Sequence, residues 1–148
     1  MPAPYVIRPF RMRDIERILA IERASFGADA YDRNLFAEYF HECAGLFLVV
    51  ERGRRIWGYA IACARGERAE LVSIAVDPAA RAKGAGSAMM ASVLRRLRRR
   101  RAARLTLMVR RGNEPALRFY SKYGFVKLRR VPRYYEDGCD GLLLTRKL

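Results

Sequence analysis

The sequence predicts a mixed α/β domain, and three observations carry that expectation. Short β-type runs alternate with amphipathic stretches in the order β α α β β β α β α β β. Apolar residues make up 51% of 148, enough to bury one sizeable core. Neither a linker nor an internal repeat interrupts the chain, and the only biased tract is the arginine run at 95–101, so residues 1–148 read as one domain.

Tyr5-Val6-Ile7-Arg8 is a short β-type run closed by Pro9. Asp14 then opens a helical pattern in which Ile15, Ile18, Leu19 and Glu22 recur at spacings of three and four, until Phe26-Gly27-Ala28-Asp29 breaks it. A second amphipathic helix is expected over 32–43, with Leu35, Phe36, Tyr39 and Phe40 as its buried stripe. Residues 46–51, 56–64 and 69–76 read as a meander of three strands, with turns at 52–54 and 65–68. Asp77-Pro78 ends the third strand. A glycine-bearing loop follows, then a helix through Leu97 or beyond on a stripe of Met89, Met90, Val93, Leu94 and Leu97. Residues 103–109 form a strand. Asn113-Glu114-Pro115 starts another helix, with Asn as N-cap and Pro in the first turn, and Gly124 stops it. Strands at 125–130 and 142–148 close the fold around a turn at 136–141.

Charge is unevenly placed. Residues 1–74 hold 11 basic and 10 acidic groups, whereas residues 75–148 hold 19 basic and 5 acidic groups. The second half would attract a polyanionic ligand, an acidic peptide or nucleic acid, or its arginines are ordinary solvated surface. In RRLRRRRAAR at 95–104 no aromatic residue interleaves the run, and cations also suit a helix C-terminus, so nucleic-acid binding is disfavoured without being excluded. Cys43, Cys63 and Cys139 share no metal-like spacing and suggest free thiols in a reducing compartment. The N-terminal MPAPYVIRPFRMRD has no long apolar core, and GLFLVV at 45–50 is too short to span a bilayer, so a cytoplasmic protein that does not enter a membrane is expected. His41 is the only histidine, which supports neither a metal site nor His-based catalysis.

The stretch RAKGAGSAMM at 81–90 asks for a backbone with little side chain between a strand and a helix. A helix N-terminus leaves N–H groups unpaired and favours negative charge, and glycine lets that backbone approach a phosphate. Arg81 and Lys83 add cations. The dinucleotide fingerprint is excluded because Met89 stands at its third glycine, and no phosphate loop ending in Gly-Lys-Ser/Thr is present.

AVDPAARAKGAGSAMM followed by NEPALRFYSKYGF resembles the GNAT superfamily of acetyl-CoA-dependent N-acetyltransferases. Within it the chain is most similar to the RimI-type N-terminal acetyltransferases, whose Tyr-Tyr and Asp-Gly tail RYYEDGCDGLLLTRKL resembles. The resemblance implies a twisted mixed sheet of about seven strands, flanked by about four helices, whose central parallel strands splay to admit pantetheine. It implies that Ile74, Ala75 and Val76 pair with pantetheine and that Arg81, Ala82, Lys83, Gly84, Ala85, Gly86 and Ser87 hold the pyrophosphate. It further implies that Asn113 contacts the cofactor and that Tyr120 is the general acid. No metal is implied. The partners implied are acetyl-CoA and a protein or peptide N-terminus, or a small amine; the chain is a monomer or a homodimer.

Acetyl transfer needs a neutral amine, donors for the developing oxyanion and a proton for the leaving thiolate. A phenol keeps its proton at neutral pH, which suits Tyr120, although a plain core aromatic is the competing reading. RimI-type sequences usually carry Glu where this chain has Met108, a departure that removes the usual base and leaves a non-catalytic acyl-CoA-binding or nucleic-acid-docking protein as the alternative reading. Glu70 matches the strand glutamate that serves as base in the histone-acetylating branch. A β-bulge, which the family has in this strand, would bring Glu70 and Ser73 to one face. Water is the alternative acceptor, because an α-amine with a pKa of about 8 is already partly neutral. Phe26, Tyr31, Tyr134 and Tyr135 fall in the segments that line the family's acceptor cleft, or pack under loops. Glu136 and Asp137 could draw in a cationic amine.

Overall fold

The computed structural model describes residues 4–148. Its seven strands form one sheet in the order β1-β2-β3-β4-β5-β7-β6. They are β1 (Val6–Pro9), β2 (Phe47–Arg52), β3 (Arg55–Arg65), β4 (Arg68–Val76), β5 (Arg104–Arg110), β6 (Val126–Val131) and β7 (Gly141–Lys147). The helices are α1 (Ile15–Phe26), α2 (Arg33–Glu42), α3 (Ala85–Arg99) and α4 (Glu114–Lys122). The predicted order of elements is therefore the observed one, with ends displaced by a residue or two. Caps account for part of that displacement: Asp32 and Asn113 stand just outside α2 and α4 and accept from the N–H of Leu35 and Ala116.

The sheet separates two apolar cores. On one face Ala60, Ala62, Leu71 and Leu105, Leu107, Val109 pack with Met89, Met90, Val93 and Leu97 of α3, and with the α4 aromatics at their edge. On the other, Val49, Tyr59, Ile61 and Ala75 pack with Ile18, Leu19 and Ile21 of α1 and Phe36 of α2. Strand alternation sends neighbouring residues to opposite cores, and that alternation fixes the register. At about 25 cal/mol per Å² of apolar surface buried, these two layers dominate the stability of the fold.

One expectation is overturned. Cys43 and Cys63 are joined in a disulfide, with Cα atoms 5.2 Å apart, and Cys139 alone is a free thiol. The pairing was hidden because a 3-10 turn, Ala44–Leu46, folds the end of α2 back over β3, bringing together residues 20 apart in sequence. The inference of a reducing compartment, which rested on three free thiols, loses two of them. Among the described residues no helix is long and apolar enough to cross a membrane.

Candidate functional site

β4 and β5 are the parallel pair, and they pair only over Arg68↔Arg104, Ala69↔Leu105 and Glu70↔Thr106. Beyond Glu70 they part, so the β5-facing edge of residues 71–76 is free of sheet partners while β3 still pairs with the other edge. An unsatisfied strand edge is a template for an extended ligand. Ile74, Ala75 and Val76 lie along this opening. β4 also carries the expected bulge: Ile61 faces Ser73 and Ala62 faces Leu71, which leaves Val72 as the extra residue. Leu71 and Ile74 consequently pack on the α3 core, whereas Val72 and Ala75 pack on the α1 core. Strand alternation about Ala69 and Leu71 puts Glu70 on the α1 face, and Ser73 meets the Tyr59 hydroxyl there at 3.1 Å.

The mouth of the opening is the loop from Asp77 to Gly84. Gly84, at φ 93°, is the left-handed N-cap of α3. A side chain on Gly86 would sit 3.3 Å from the Phe119 ring, so α3 and α4 approach closely there. Ala82 also takes a positive φ of 62°. The exposed loop and the first turn of α3 thus leave backbone N–H groups without helical partners, with Gly86 and Ser87 part-exposed, Ala85 buried and Lys83 exposed beside them. Arg81 does something other than project freely: its Nε donates to the Val76 carbonyl at 3.3 Å and its Nη2 bonds the Ser25 hydroxyl. Arg17 pairs with Asp77 at 2.6 Å, so α1 braces the loop at two points. Asn113 Oδ1 is engaged as the cap of α4, which leaves its amide NH₂ group for a ligand.

Tyr120 on α4 is partly buried at the edge of the α3 core, its ring edge-on to Phe119 and Phe125 at 5.5 and 5.6 Å. Burial, with Tyr135 nearby, pushes its phenol above the usual tyrosine range, so the group stays protonated at any physiological pH. Across the sheet, Tyr31, Tyr39 and Tyr134 share a neighbourhood with Glu70. Burial first, then these mutual charges, push the Tyr31 and Tyr39 phenols up. Tyr135, stacked edge-on with Tyr134 at 5.0 Å, is pushed up to about 12, chiefly by burial. Phe26 stands apart, ending α1 with its ring exposed and taking part in none of the described aromatic pairs. Met108 alternates onto the α1 face between Leu107 and Val109 and fills the space beside Gly141 and Tyr134; a Cβ on Gly141 would lie 2.7 Å from its sulfur. Asp137 is exposed and pairs with Arg110 at 2.7 Å, and Glu136 beside it is exposed too.

Three residues of this site were missed in the sequence. Glu22 read as part of the helical stripe. In fact it is 1% exposed, its Oε2 accepts from the Tyr31 N–H at 2.9 Å, and its Oε1 has no partner among the described atoms. Tyr39 read as core and does pack against the α1-face core, but its phenol also lies near Glu70, which the sequence did not signal. Arg110 carried no motif. The only signal for Glu22 was a carboxylate inside an apolar stripe, which is worth questioning wherever it occurs.

The arginines of the 95–101 run lie at the far end of α3 from the glycine loop. Arg95, Arg98 and Arg99 line a groove of about 660 Å³ with Leu94, Tyr123 and Arg146, and none of the described ion pairs involves those three. A rise of about 1.5 Å per residue puts that groove well clear of the α3 N-terminus. Among the described residues no cluster of His, Cys, Asp or Glu is placed to hold a metal ion.

Comparison with known proteins agrees with this geometry. Residues 12–125 match the Acetyltransferase (GNAT) family. A putative ribosomal protein bS18-alanine N-acetyltransferase of Bacillus subtilis is 28% identical over 145 residues, covering 97% of this chain and 96% of its own. The crystal structure of Ard1 from Thermoplasma volcanium superposes with a TM-score of 0.94 at 30% identity, covering 97% of each chain. That of the ribosomal-protein-S18-alanine N-acetyltransferase from Escherichia coli gives 0.87 at 26%, covering 97% of this chain and 94% of the other.

Proposed function

Because this chain belongs to the acetyltransferase (GNAT) family and is an N-acetyltransferase, we propose that it moves an acetyl group from acetyl-CoA to the α-amine of a protein or peptide N-terminus. The observation that carries the reading is the parting of β4 from β5 after Glu70, with a glycine loop at one end and a carboxylate among phenols on the α1 face. Relatives named for N-terminal acetylation support the choice of acceptor.

The residues present suit the donor. The diphosphate would sit on the amides of residues 82–87, where the N-terminus of α3 and Lys83 favour negative charge. The pantetheine arm would lie along the free edge at Ile74, Ala75 and Val76 and bond their backbone as an added strand. Asn113 offers its free amide group.

In the reaction the neutral amine nitrogen attacks the thioester carbonyl carbon. A C–N bond forms, the C–S bond breaks, and the electron pair leaves on sulfur. Tyr120, held protonated by burial, gives its proton to that sulfur. Main-chain N–H groups of the free β4 edge serve the carbonyl oxygen as its charge grows. The proton lost by the amine goes to Glu70, directly or through water, because Met108 occupies the other position on this face with an apolar side chain. Tyr31, Tyr134 and Tyr135 frame the acceptor backbone, and Phe26 takes no part unless the acceptor extends along α1.

Release of free CoA against a panel of peptides with free α-amines, polyamines and aminoglycosides tests the reading. Peptides blocked at the α-amine should be inert even when they contain lysine. Turnover confined to polyamines or aminoglycosides would assign a small-molecule acceptor instead.

A further inference from the structure

Arg110 is the last residue of β5, on the α1 face of the sheet, where the strand leaves the acceptor side of the opening. Its guanidinium makes three separate contacts. One Nη bonds Asp29, in the 3-10 turn Gly27–Asp29 that leads to Tyr31. The other bonds Asp137 at 2.7 Å, in the loop that carries Tyr134 and Tyr135. The face of the group lies 4.4 Å from the centre of the Tyr135 ring.

Each of the two segments it joins has its own hydrogen bonds. The 132–140 loop is organised within itself and against the sheet ends: Tyr135 N–H donates to Cys139 O, Cys139 N–H to Asp137 Oδ1, and Arg133 N–H to Asp140 Oδ1. Asp140 is also paired with Arg111 and Arg130. The 3-10 turn is closed by Ala30 N–H on Gly27 O. Among the described hydrogen bonds and ion pairs, those of Arg110 are the ones that connect the turn to the loop.

We infer that Arg110 is a positioning residue for the acceptor: it straps the α1–α2 turn to the β6–β7 loop and so sets the gap between Tyr31 and the Tyr134–Tyr135 pair. The inference rests on the acceptor site proposed above. Guanidinium geometry explains the residue type, since one planar group offers two donor edges to two carboxylates and a face to a ring. Lysine can satisfy only part of this set. The contacts are part-exposed and therefore screened by salt. Arg110 also pairs with Asp29 and Asp137 of this rim, which leaves Glu136 as the rim carboxylate it does not hold.

The test compares the parent with Arg110→Gln, Arg110→Lys, Asp29→Asn and the Arg110→Gln/Asp29→Asn pair. Each is measured for KM and kcat with the best free-α-amine peptide of the panel, for acetyl-CoA affinity by calorimetry, and for hydrogen–deuterium exchange of residues 27–31 and 132–140 without ligands. In Arg110→Gln, peptide KM should rise about tenfold, kcat should change less than about threefold, and acetyl-CoA affinity should hold within about twofold. Both segments should exchange faster. Arg110→Lys should fall between parent and Gln, and the double variant should be no worse than Arg110→Gln, because the partners act as one unit. Peptide KM and exchange both unchanged in Arg110→Gln would overturn the inference. So would a parallel loss of acetyl-CoA affinity, which marks a general structural role. If the parent turns over no peptide while exchange in Arg110→Gln rises in both segments, the acceptor reading fails and the strap survives. If the parent turns over peptide while KM and exchange stay unchanged in Arg110→Gln, the acceptor reading stands and the strap fails.

Discussion

The two faces of β4 are built by different means. On the α3 side, the proposed donor site is made of main chain: a free strand edge, a left-handed Gly84 and the unpaired amides that open α3. On the α1 side, the proposed acceptor site is made of side chains from α1, α2, β4, β5 and the β6–β7 loop, held by Glu22, Arg110 and a cluster of phenols. Backbone can recognise what is constant in a ligand, here a diphosphate and an amide-bearing arm. Side chains gathered from five elements can be exchanged one at a time, which suits the partner that varies. The comparison predicts that lesions on the first face are severe and uniform, and that those on the second are graded and dependent on acceptor or pH.

The largest effect is expected where the two faces share one group. Tyr120→Phe should lower kcat about 100-fold with every acceptor, the usual scale for a general acid, while calorimetry finds acetyl-CoA binding intact. The phenol makes no described hydrogen bond inside the protein, so the ring should keep its packing against Phe119 and Phe125. Equal turnover in variant and parent would remove Tyr120 from proton transfer.

On the donor face alone, Gly84→Val is the sharpest probe. A β-branched residue at φ 93° costs roughly 1–3 kcal/mol, and nothing nearer than Tyr5 at 3.8 Å crowds the position, so the effect is conformational. Acetyl-CoA affinity should fall about 10-fold or more for every acceptor alike. An unchanged affinity would mean that the loop does not use this backbone conformation to hold the diphosphate.

Glu70→Gln tests the acceptor face and should have a smaller, pH-dependent effect. The amide cannot accept a proton, so the rate should drop about tenfold near pH 6, where most α-amine is charged, and converge on the parent near pH 9, where it is neutral. A pH–rate profile that coincides with the parent's would leave water as the sole proton acceptor.

The same contrast decides what the sequence made legible. The donor side is contiguous: Arg-x-x-Gly-x-Gly stands in one loop between a strand and a helix, and its meaning follows from glycine conformation and helix ends. The parting of β4 and β5 and the bulge at Val72 came from resemblance, since neither leaves a mark in composition or period. Phe26, Tyr31, Tyr134 and Tyr135 were all picked because they sit in segments with a known place in the family, and of the four Phe26 and Tyr134 are exposed. Arg110 was invisible because its partners lie 81 and 27 residues away and a lone arginine at a strand end is ordinary. The Cys43–Cys63 pair was invisible for a similar reason: a turn at Ala44–Leu46, not a spacing rule, creates it.

Glu22 gives the finest test of the acceptor face, with the smallest expected effect on turnover. Burial is the main cause of its raised pKa, about 7 against an ordinary 4.5, and the Tyr31 N–H offsets part of it. For a carboxyl group shifted upward by folding, the stabilising contribution is complete below the unfolded-state value and is lost as pH rises through the folded one. The parent should therefore lose stability between about pH 4.5 and pH 7, by as much as about 3 kcal/mol if the shift is fully expressed. Glu22→Gln keeps an oxygen for the Tyr31 N–H and carries no charge, so its melting temperature should gain on the parent's across that window, by several degrees at about 2–4 °C per kcal/mol. Melting curves that shift in parallel with pH would show that Glu22 is not the group responsible. If they diverge as expected, the tyrosine wall beside the acceptor rests on a buried acid that the fold tolerates at neutral pH rather than favours, and the α1–α2 turn is then the part of the molecule most easily loosened by alkali.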